Sequence, residues 1–158
     1  MKKKQATTKR IENRRARHDY ELGDSLVVGV ALTGAETKNL RMGHGQLRGS
    51  YVNIKDNELW LINATISGTN AMPISEQDQT RNRRLLAKRR EIDALTEAKQ
   101  QGKTIVPLEM LTHGRFIKLR IAIGRGKKQY DKRETLKKRD EQRRIDAAVR
   151  DSLHRRHA

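Results

Sequence analysis

Apolar positions change their spacing several times along the chain, and each spacing predicts a different element. Leu26-Val27-Val28-Gly29-Val30-Ala31-Leu32 is a β-branched run that reads as a buried strand. Thr33-Gly34-Ala35-Glu36 follows with capping-box chemistry: the Thr33 hydroxyl can accept from the Glu36 amide while the Glu36 carboxylate reaches back. A short helix through Leu40 and Arg41 is expected, ended by Gly43. Ser50 to Ile66 reads as a hairpin, with Tyr51-Val52-Asn53-Ile54, a Lys55-Asp56-Asn57 turn whose Asp and Asn tolerate left-handed backbone, and a return strand Leu59 to Ile66. On that return strand Trp60, Ile62, Ala64 and Ile66 share one face at period two.

Ser67 to Gln79 is polar and carries no periodicity. From Thr80 or Arg81 to Gln101 the spacing becomes helical, with Leu85, Ile92, Leu95 and Ala98 as the stripe, Leu86 alongside and Gly102 as the stop. Thr104-Ile105-Val106-Pro107-Leu108, Met110-Leu111, a His113-Gly114 turn and Phe116 to Ile123 complete the body. Pro107 lacks a ladder donor, so its strand is an edge or carries a bulge. Five or six strands joined mostly by short turns, with two helices, are most economically arranged as an antiparallel β-barrel closed on itself. A partly open sheet with helices on one face is the alternative. The fold class is therefore mainly β with flanking helices.

Apolar residues thin out after Ile123, and Gly124 and Gly126 loosen the backbone there. Asp131 and Glu134 can cap a helix in the tail, and Glu134/Lys138, Asp140/Arg144, Asp146/Arg150 and Asp151/Arg155 are spaced i,i+4. Leu136, Ile145, Val149 and Leu153 make only a thin stripe, so the tail is expected to be disordered, or helical and complete only against a partner. Three parts result: a disordered basic arm at 1–10, a folded body at 11–123 and a basic tail at 124–158.

Charge sharpens that division. The net charge is +17, but residues 18–123 hold fifteen Lys/Arg against twelve Asp/Glu, whereas 1–17 hold eight against one and 124–158 thirteen against six. A balanced body with a basic arm at each end is the footprint of a polyanion binder, with nucleic acid the first candidate. No run approaches the ~18 apolar residues of a membrane span, and a membrane partner is not expected. There is no cysteine, which excludes disulfides, thiolate metal sites and Cys nucleophiles. The five histidines (His18, His44, His113, His154 and His157) match no metal spacing. Gly124-Arg125-Gly126-Lys127-Lys128 lacks a Walker spacing, and no GxSxG is present. No cofactor, metal or enzymatic activity is expected, and the expected compartment is the cytoplasm.

Three basic sets are candidates for phosphate contact: Arg14, Arg15 and Arg17; Arg81, Arg83, Arg84, Lys88, Arg89 and Arg90; and the tail. Aromatics make up 3% of the chain, which argues against long single strands held by stacked bases and favours a folded RNA read by shape and backbone. His18, Tyr20 and Tyr130 stand beside basic groups and are the candidates for stacking. Glu36 is the acid singled out, although its capping box alone accounts for it.

Six segments, in order, resemble the SmpB family, the tmRNA-binding proteins of bacterial ribosome rescue. They are Asn13-Arg14-Arg15-Ala16-Arg17-His18-Asp19-Tyr20; Leu32-Thr33-Gly34-Ala35-Glu36-Thr37-Lys38-Asn39-Leu40-Arg41-Met42-Gly43; Ser50-Tyr51-Val52; Thr80-Arg81-Asn82-Arg83-Arg84-Leu85-Leu86; Arg90-Glu91-Ile92; and Gly126-Lys127-Lys128-Gln129-Tyr130-Asp131-Lys132-Arg133. The resemblance implies an oligonucleotide-binding-like barrel that grips the tRNA-like domain of tmRNA. It also implies a tail that becomes helical in the empty mRNA channel of a stalled ribosome, near the decoding centre. Alanyl-tRNA synthetase, which charges the RNA, and elongation factor Tu, which delivers it, are implied as indirect partners. By position, the implied tmRNA contacts are Asn13, Arg14, Arg15, His18, Tyr20, Glu36, Lys38, Leu40, Arg41, Arg81, Arg83 and Arg84. The implied ribosome-binding set is Lys127, Lys128, Tyr130, Asp131, Lys132, Arg133, Lys137, Lys138 and Arg139. The chain departs from the family where Thr37 replaces the usual Val, Asn39 the usual Ser, and Thr65-Ile66 a His-Ile pair. The loop at 67–79 departs as well. A structural, ribosomal-protein-like rRNA binder shares the charge layout and is the alternative.

Overall fold

The computed structural model describes residues 10–127 and 129–156, with the side chains of 129–131, 155 and 156 left aside. The arm expected at 1–10 lies outside the described residues except for Arg10, as do Lys128 and the side chains of Tyr130 and Asp131. The chain forms two units, Met1–Gly126 and Lys127–Ala158.

The first unit begins with β1 (Ile11–Glu12), α1 (Ala16–Asp19), β2 (Tyr20–Val30), α2 (Gly34–Arg41) and β3 (Gly45–Gln46). The hairpin β4 (Tyr51–Lys55) and β5 (Glu58–Ile62) follows, then β6 (Thr65–Ile66), α3 (Glu76–Gln79), β7 (Arg83–Leu86), α4 (Arg89–Gln100), β8 (Thr104–Leu111) and β9 (Lys118–Gly126). The sheet runs β1-β8-β4-β5-β7-β2-β9, and β8 pairs again with β9, so six strands close into an antiparallel ring. The expected barrel is what the chain builds, OB-like in its closure but with six strands in the ring. Its interior is filled by Val28, Val52, Leu59, Leu61, Leu85, Ile105, Leu119 and Ile121, none more than 4% exposed. Each such side chain contributes about 1.5–3 kcal/mol on burial.

The Asp56–Asn57 turn sets the hairpin register. Both residues take positive φ (54° and 61°), the two-residue turn whose twist matches antiparallel strands, and Lys55 pairs with Glu58. That register places Leu59 and Leu61 inside, opposite Ile54 and Val52, and leaves Trp60 and Ile62 on the outer face. Trp60 and Ile62 therefore do not share a face with Ala64 and Ile66, which corrects the expected stripe. Asn63, at φ 62°, breaks the strand, and Ala64 and Ile66 turn back inward to reach the core on the far side of that break. Pro107 carries the expected irregularity, since the β8–β9 register shifts between Pro107 and Glu109.

Residues 81–88 are not helical, and this is the larger correction. Arg83 and Leu85 are buried while Arg84 and Leu86 are exposed, a period-two strand lying between β5 and β2. The helix starts only at Arg89, where the Glu91 carboxylate accepts from the Lys88 amide at 2.8 Å, and it buries Leu95 and Ala98. The strand read at 26–32 begins earlier, at Tyr20, and ends at Val30. Within it Val28 is buried, but Val27 is 40% exposed. β9 continues to Gly126, opposite Tyr20, beyond the body boundary expected at 123.

Among its described residues the second unit holds one helix, α5 (Gln129–Arg156). Leu136, Ile145, Val149 and Leu153 are exposed on it. Asp146 accepts from Gln142 Nε2 at 2.9 Å rather than pairing with Arg150. No helix of the described residues is long and apolar enough to cross a membrane.

Candidate nucleic-acid interface

α2 carries the densest part of the motif, and its local chemistry starts with the cap. Glu36 N donates to Thr33 Oγ1 at 3.2 Å and Thr33 N donates to Glu36 Oε2 at 3.0 Å, the reciprocal pair read from the sequence. A Cβ at Gly45 would stand 2.6 Å from Leu40 Cδ2, so glycine is what lets α2 seat directly on the β3–β6 ribbon.

Glu36 does more than cap. Its carboxylate, 2% exposed, accepts from Arg81 Nε and Nη2 at 2.8 and 2.7 Å and from Arg83 Nε at 3.1 Å. The Arg83 side chain is fully buried. Its remaining donors go to the carbonyls of Ala64 (2.9 Å), Arg81 (3.0 Å), Asp78 (3.1 Å) and Gln79 (3.0 Å). One guanidinium therefore ties together α2, α3, β7 and the segment before β6. Burial pushes the Glu36 carboxyl up. The Arg81 hydrogen bond, the Thr33 amide and the charges of Arg83 and Arg81 outweigh it and hold the group below its usual range. Burial pushes the Arg83 guanidinium down, against the pull of Glu36.

Burial and internal bonding already occupy several of the residues expected to contact RNA. Glu36 and Leu40 on α2 and Arg83 on β7 are 1%, 0% and 0% exposed, their side chains enclosed by the protein itself. Asn13 is an anchor: its amide donates to Leu108 O at 2.7 Å and its Nδ2 to Pro107 O at 3.0 Å, pinning the N-terminal segment to β8. Arg41 directs Nη1 to Thr112 O and Nη2 to Arg115 O, both at 3.0 Å, and so holds the turn between β8 and β9 against α2. Arg84 pairs with Glu58 at 2.6 Å on the outer face.

What remains on the surface is a smaller set. Lys38 is exposed on α2, and Arg14 and Arg15 are exposed before α1. His18 is half-buried, its Nδ1 lying 2.9 Å from Asp19 Oδ1, and Tyr20 opens β2. Sequence reasoning missed Arg48, in the bend before β4, and Tyr51, which opens β4, as well as Arg115 and Phe116 in the turn that Arg41 holds. Phe116 is 69% exposed with the Arg115 guanidinium 5.4 Å from its ring centroid. In the second unit Arg133, Lys137, Lys138 and Arg139 are exposed, while Lys127 and Lys132 are half-buried.

Asn39 and Thr69 explain the loop that departs from the family pattern. Asn39 is fully buried; its Nδ2 donates to Met72 O at 2.9 Å and its Oδ1 accepts from Thr69 Oγ1 at 3.1 Å. Of the two departing residues on α2, Thr37 and Asn39, it is Asn39 that tethers the departing loop.

Comparison with known proteins matches this layout. The family model described as SmpB protein matches residues 10–151. An SsrA-binding protein of Rubrobacter xylanophilus is 40% identical over 144 residues, covering 90% of this chain and 96% of the relative. One from Trichormus variabilis is 44% identical over 140 residues, covering 87% and 90%. A chain of the solved structure called "tmRNA-SmpB: a journey to the center of the bacterial ribosome" superposes with TM-score 0.62 at 38% identity, covering 76% of this chain and 85% of that one.

Proposed function

The chain belongs to the SmpB protein family, and on that premise we propose that it binds the tRNA-like domain of tmRNA and brings it to stalled ribosomes for trans-translation. The observation that carries the reading is a match that runs through barrel and tail alike, residues 10–151. The division of labour follows from the two units. The barrel presents Lys38, Arg14 and Arg15 from a scaffold locked by Glu36 and Arg83, so positive charge is held at fixed spacing for a folded phosphate backbone. The tail offers exposed cations and an apolar stripe on one helix, suited to a narrow polyanionic channel such as the empty mRNA path near the decoding centre. The protein supplies recognition. Charging by alanyl-tRNA synthetase and delivery by elongation factor Tu belong to its partners, and the site of action is the cytoplasm.

Titration of the full chain against tmRNA and against bulk tRNA at two salt concentrations tests the reading, because phosphate contacts alone weaken steeply with salt. A preference for tmRNA that persists at the higher salt supports it. Equal binding to both RNAs, or permanent co-purification with vacant ribosomal subunits, overturns it in favour of a structural rRNA binder.

A further inference from the structure

The arginines of the barrel divide by what they already hold. Arg41, Arg81, Arg83, Arg84 and Arg120 donate to protein oxygens. Arg15 and Arg48, both exposed, have no side-chain hydrogen bond or ion pair among the described residues. They are far apart in sequence, yet they line one cleft of about 370 Å³ together with Tyr20 and Tyr51, over a floor of Thr104 and Val106.

The fold explains why a cleft opens there. β4 and β8 pair through Val52↔Ile105 alone among the described residues, whereas β8 and β9 pair along most of their length. The seam therefore parts beyond that pair, with α1 on one side and the bend before β4 on the other. The bend is fixed by Gly49 at φ 74° and by Ser50 Oγ donating to Leu47 O at 2.5 Å. The Asp19 carboxylate also lines the cleft, but His18 Nδ1 already lies against it at 2.9 Å.

We propose that this cleft receives a single unpaired nucleotide of the bound RNA, its base against the tyrosine rings and its phosphate between Arg15 and Arg48. The inference rests on the tmRNA-binding reading and names a subsite within it. The chain has three Tyr, one Trp and one Phe, and two of the three tyrosines line this cleft. Scarce aromatics rule out a long stacking track, but not one stack beside two guanidinium forks. The volume lies at the lower end of the ~300–1,000 Å³ of small-ligand pockets, which suits one extruded nucleotide and excludes a duplex.

Ultraviolet crosslinking of the full chain to the tRNA-like domain of tmRNA, with mass spectrometry of the adducts, tests the contact directly. Affinity measurements on variants test its chemistry. An adduct on Tyr51 or Tyr20 is expected. Tyr51→Ala and Tyr51→Leu should weaken binding roughly fivefold to a hundredfold, the effect of removing one base–aromatic stack, while Tyr51→Phe stays within about twofold. Tyr51 is 46% exposed, so melting temperatures should not change. If Tyr51→Ala does destabilise the barrel, the wild-type crosslink decides alone: no adduct on either tyrosine overturns the proposal. Full affinity in Tyr51→Ala, or in Tyr51→Leu, also overturns it. If Lys38→Ala weakens tmRNA binding and Tyr51→Ala does not, the subsite fails while the functional reading stands. A wild-type chain with no tmRNA preference removes both.

Discussion

Arg83 Nε donates to Glu36 Oε1 at 3.1 Å, so the acid that caps α2 is also the counter-charge of a cation sealed inside the barrel. Breaking a buried pair from one side leaves an uncompensated charge and costs about 3–5 kcal/mol. Glu36→Ala is therefore expected to lower the midpoint of thermal unfolding sharply and to weaken tmRNA binding as a consequence. Lys38→Ala should weaken binding with the midpoint unchanged. Should Glu36→Ala lose affinity at full stability, Glu36 touches RNA and the buried-hub account is wrong.

The same carboxylate makes stability depend on pH. Its folded pKa lies below the usual 4.5. A depressed acid contributes stability that is present above the unfolded pKa and is lost as pH falls through the folded one. Wild-type stability should decline as pH drops below about 4.5, whereas Glu36→Gln, starting lower, should lack that component of the decline. Melting curves across the acid range, compared between the two, read the difference. Parallel profiles would show that another group carries the acid sensitivity.

Lys38 and Arg14 present charge without a bond to any acceptor among the described residues. Removing one cation that neutralises a phosphate should reduce the slope of log affinity against log salt by roughly one. Lys38→Ala and Arg14→Ala are each expected to do so for tmRNA and to add when combined. Arg81→Ala should cost stability as well, because it donates twice to Glu36. An unaltered slope in Lys38→Ala would take α2 off the interface.

How much of this is legible in the sequence depends on whether the signal is local. The Thr33–Glu36 cap, the Asp56–Asn57 turn and the Pro107 bulge are each decided by a few adjacent residues, and each appears where the residues place it. β7 reads as helix because a buried arginine looks like a solvated one. Arg83 occupies a core position only because Glu36 and the Ala64 carbonyl, distant in sequence, join the nearer carbonyls of Asp78, Gln79 and Arg81 around it. The shared face of Trp60, Ile62, Ala64 and Ile66 fails for a related reason: period two holds only while the strand is unbroken, and Asn63, just past β5, reverses it before Ala64 and Ile66. The Arg15–Arg48 cleft draws on segments around 15–20, 48–51 and 104–106, which closure of the barrel alone brings together.

Asn39 gives a prediction about the loop at 67–79. Asn39→Ala removes the two bonds that tie Met72 O and Thr69 Oγ1 to the fully buried Asn39, leaving only the bonds within the loop from Thr69 N to Met72 O and from Met72 N to Thr69 Oγ1. Two hydrogen bonds at a net of about 0.5–1.5 kcal/mol each make the loss about 1–3 kcal/mol. The loop should exchange its amide hydrogens faster and be cut sooner by protease, while strands β4 and β5 keep their protection. Equal loss of protection throughout the barrel would mean that Asn39 supports the core and not the loop.

The tail tests the two-unit division most directly. Ile145 and Val149 are 55% and 52% exposed on α5, so replacing both with lysine removes no packing from the protein itself. Ile145→Lys with Val149→Lys should leave melting and tmRNA affinity within about twofold, since surface changes usually stay within ±0.5 kcal/mol. On the ribosome the apolar stripe would have to bury against the channel wall, and two desolvated ammonium groups there oppose docking. Peptide tagging in a stalled-ribosome assay should therefore fall by an order of magnitude or more while tmRNA remains bound. Asp131→Ala with Lys132→Ala should behave in the same way. If tmRNA affinity and tagging fall together in either double variant, the tail takes part in reading the RNA, and the separation between a barrel that binds and a helix that acts later does not hold.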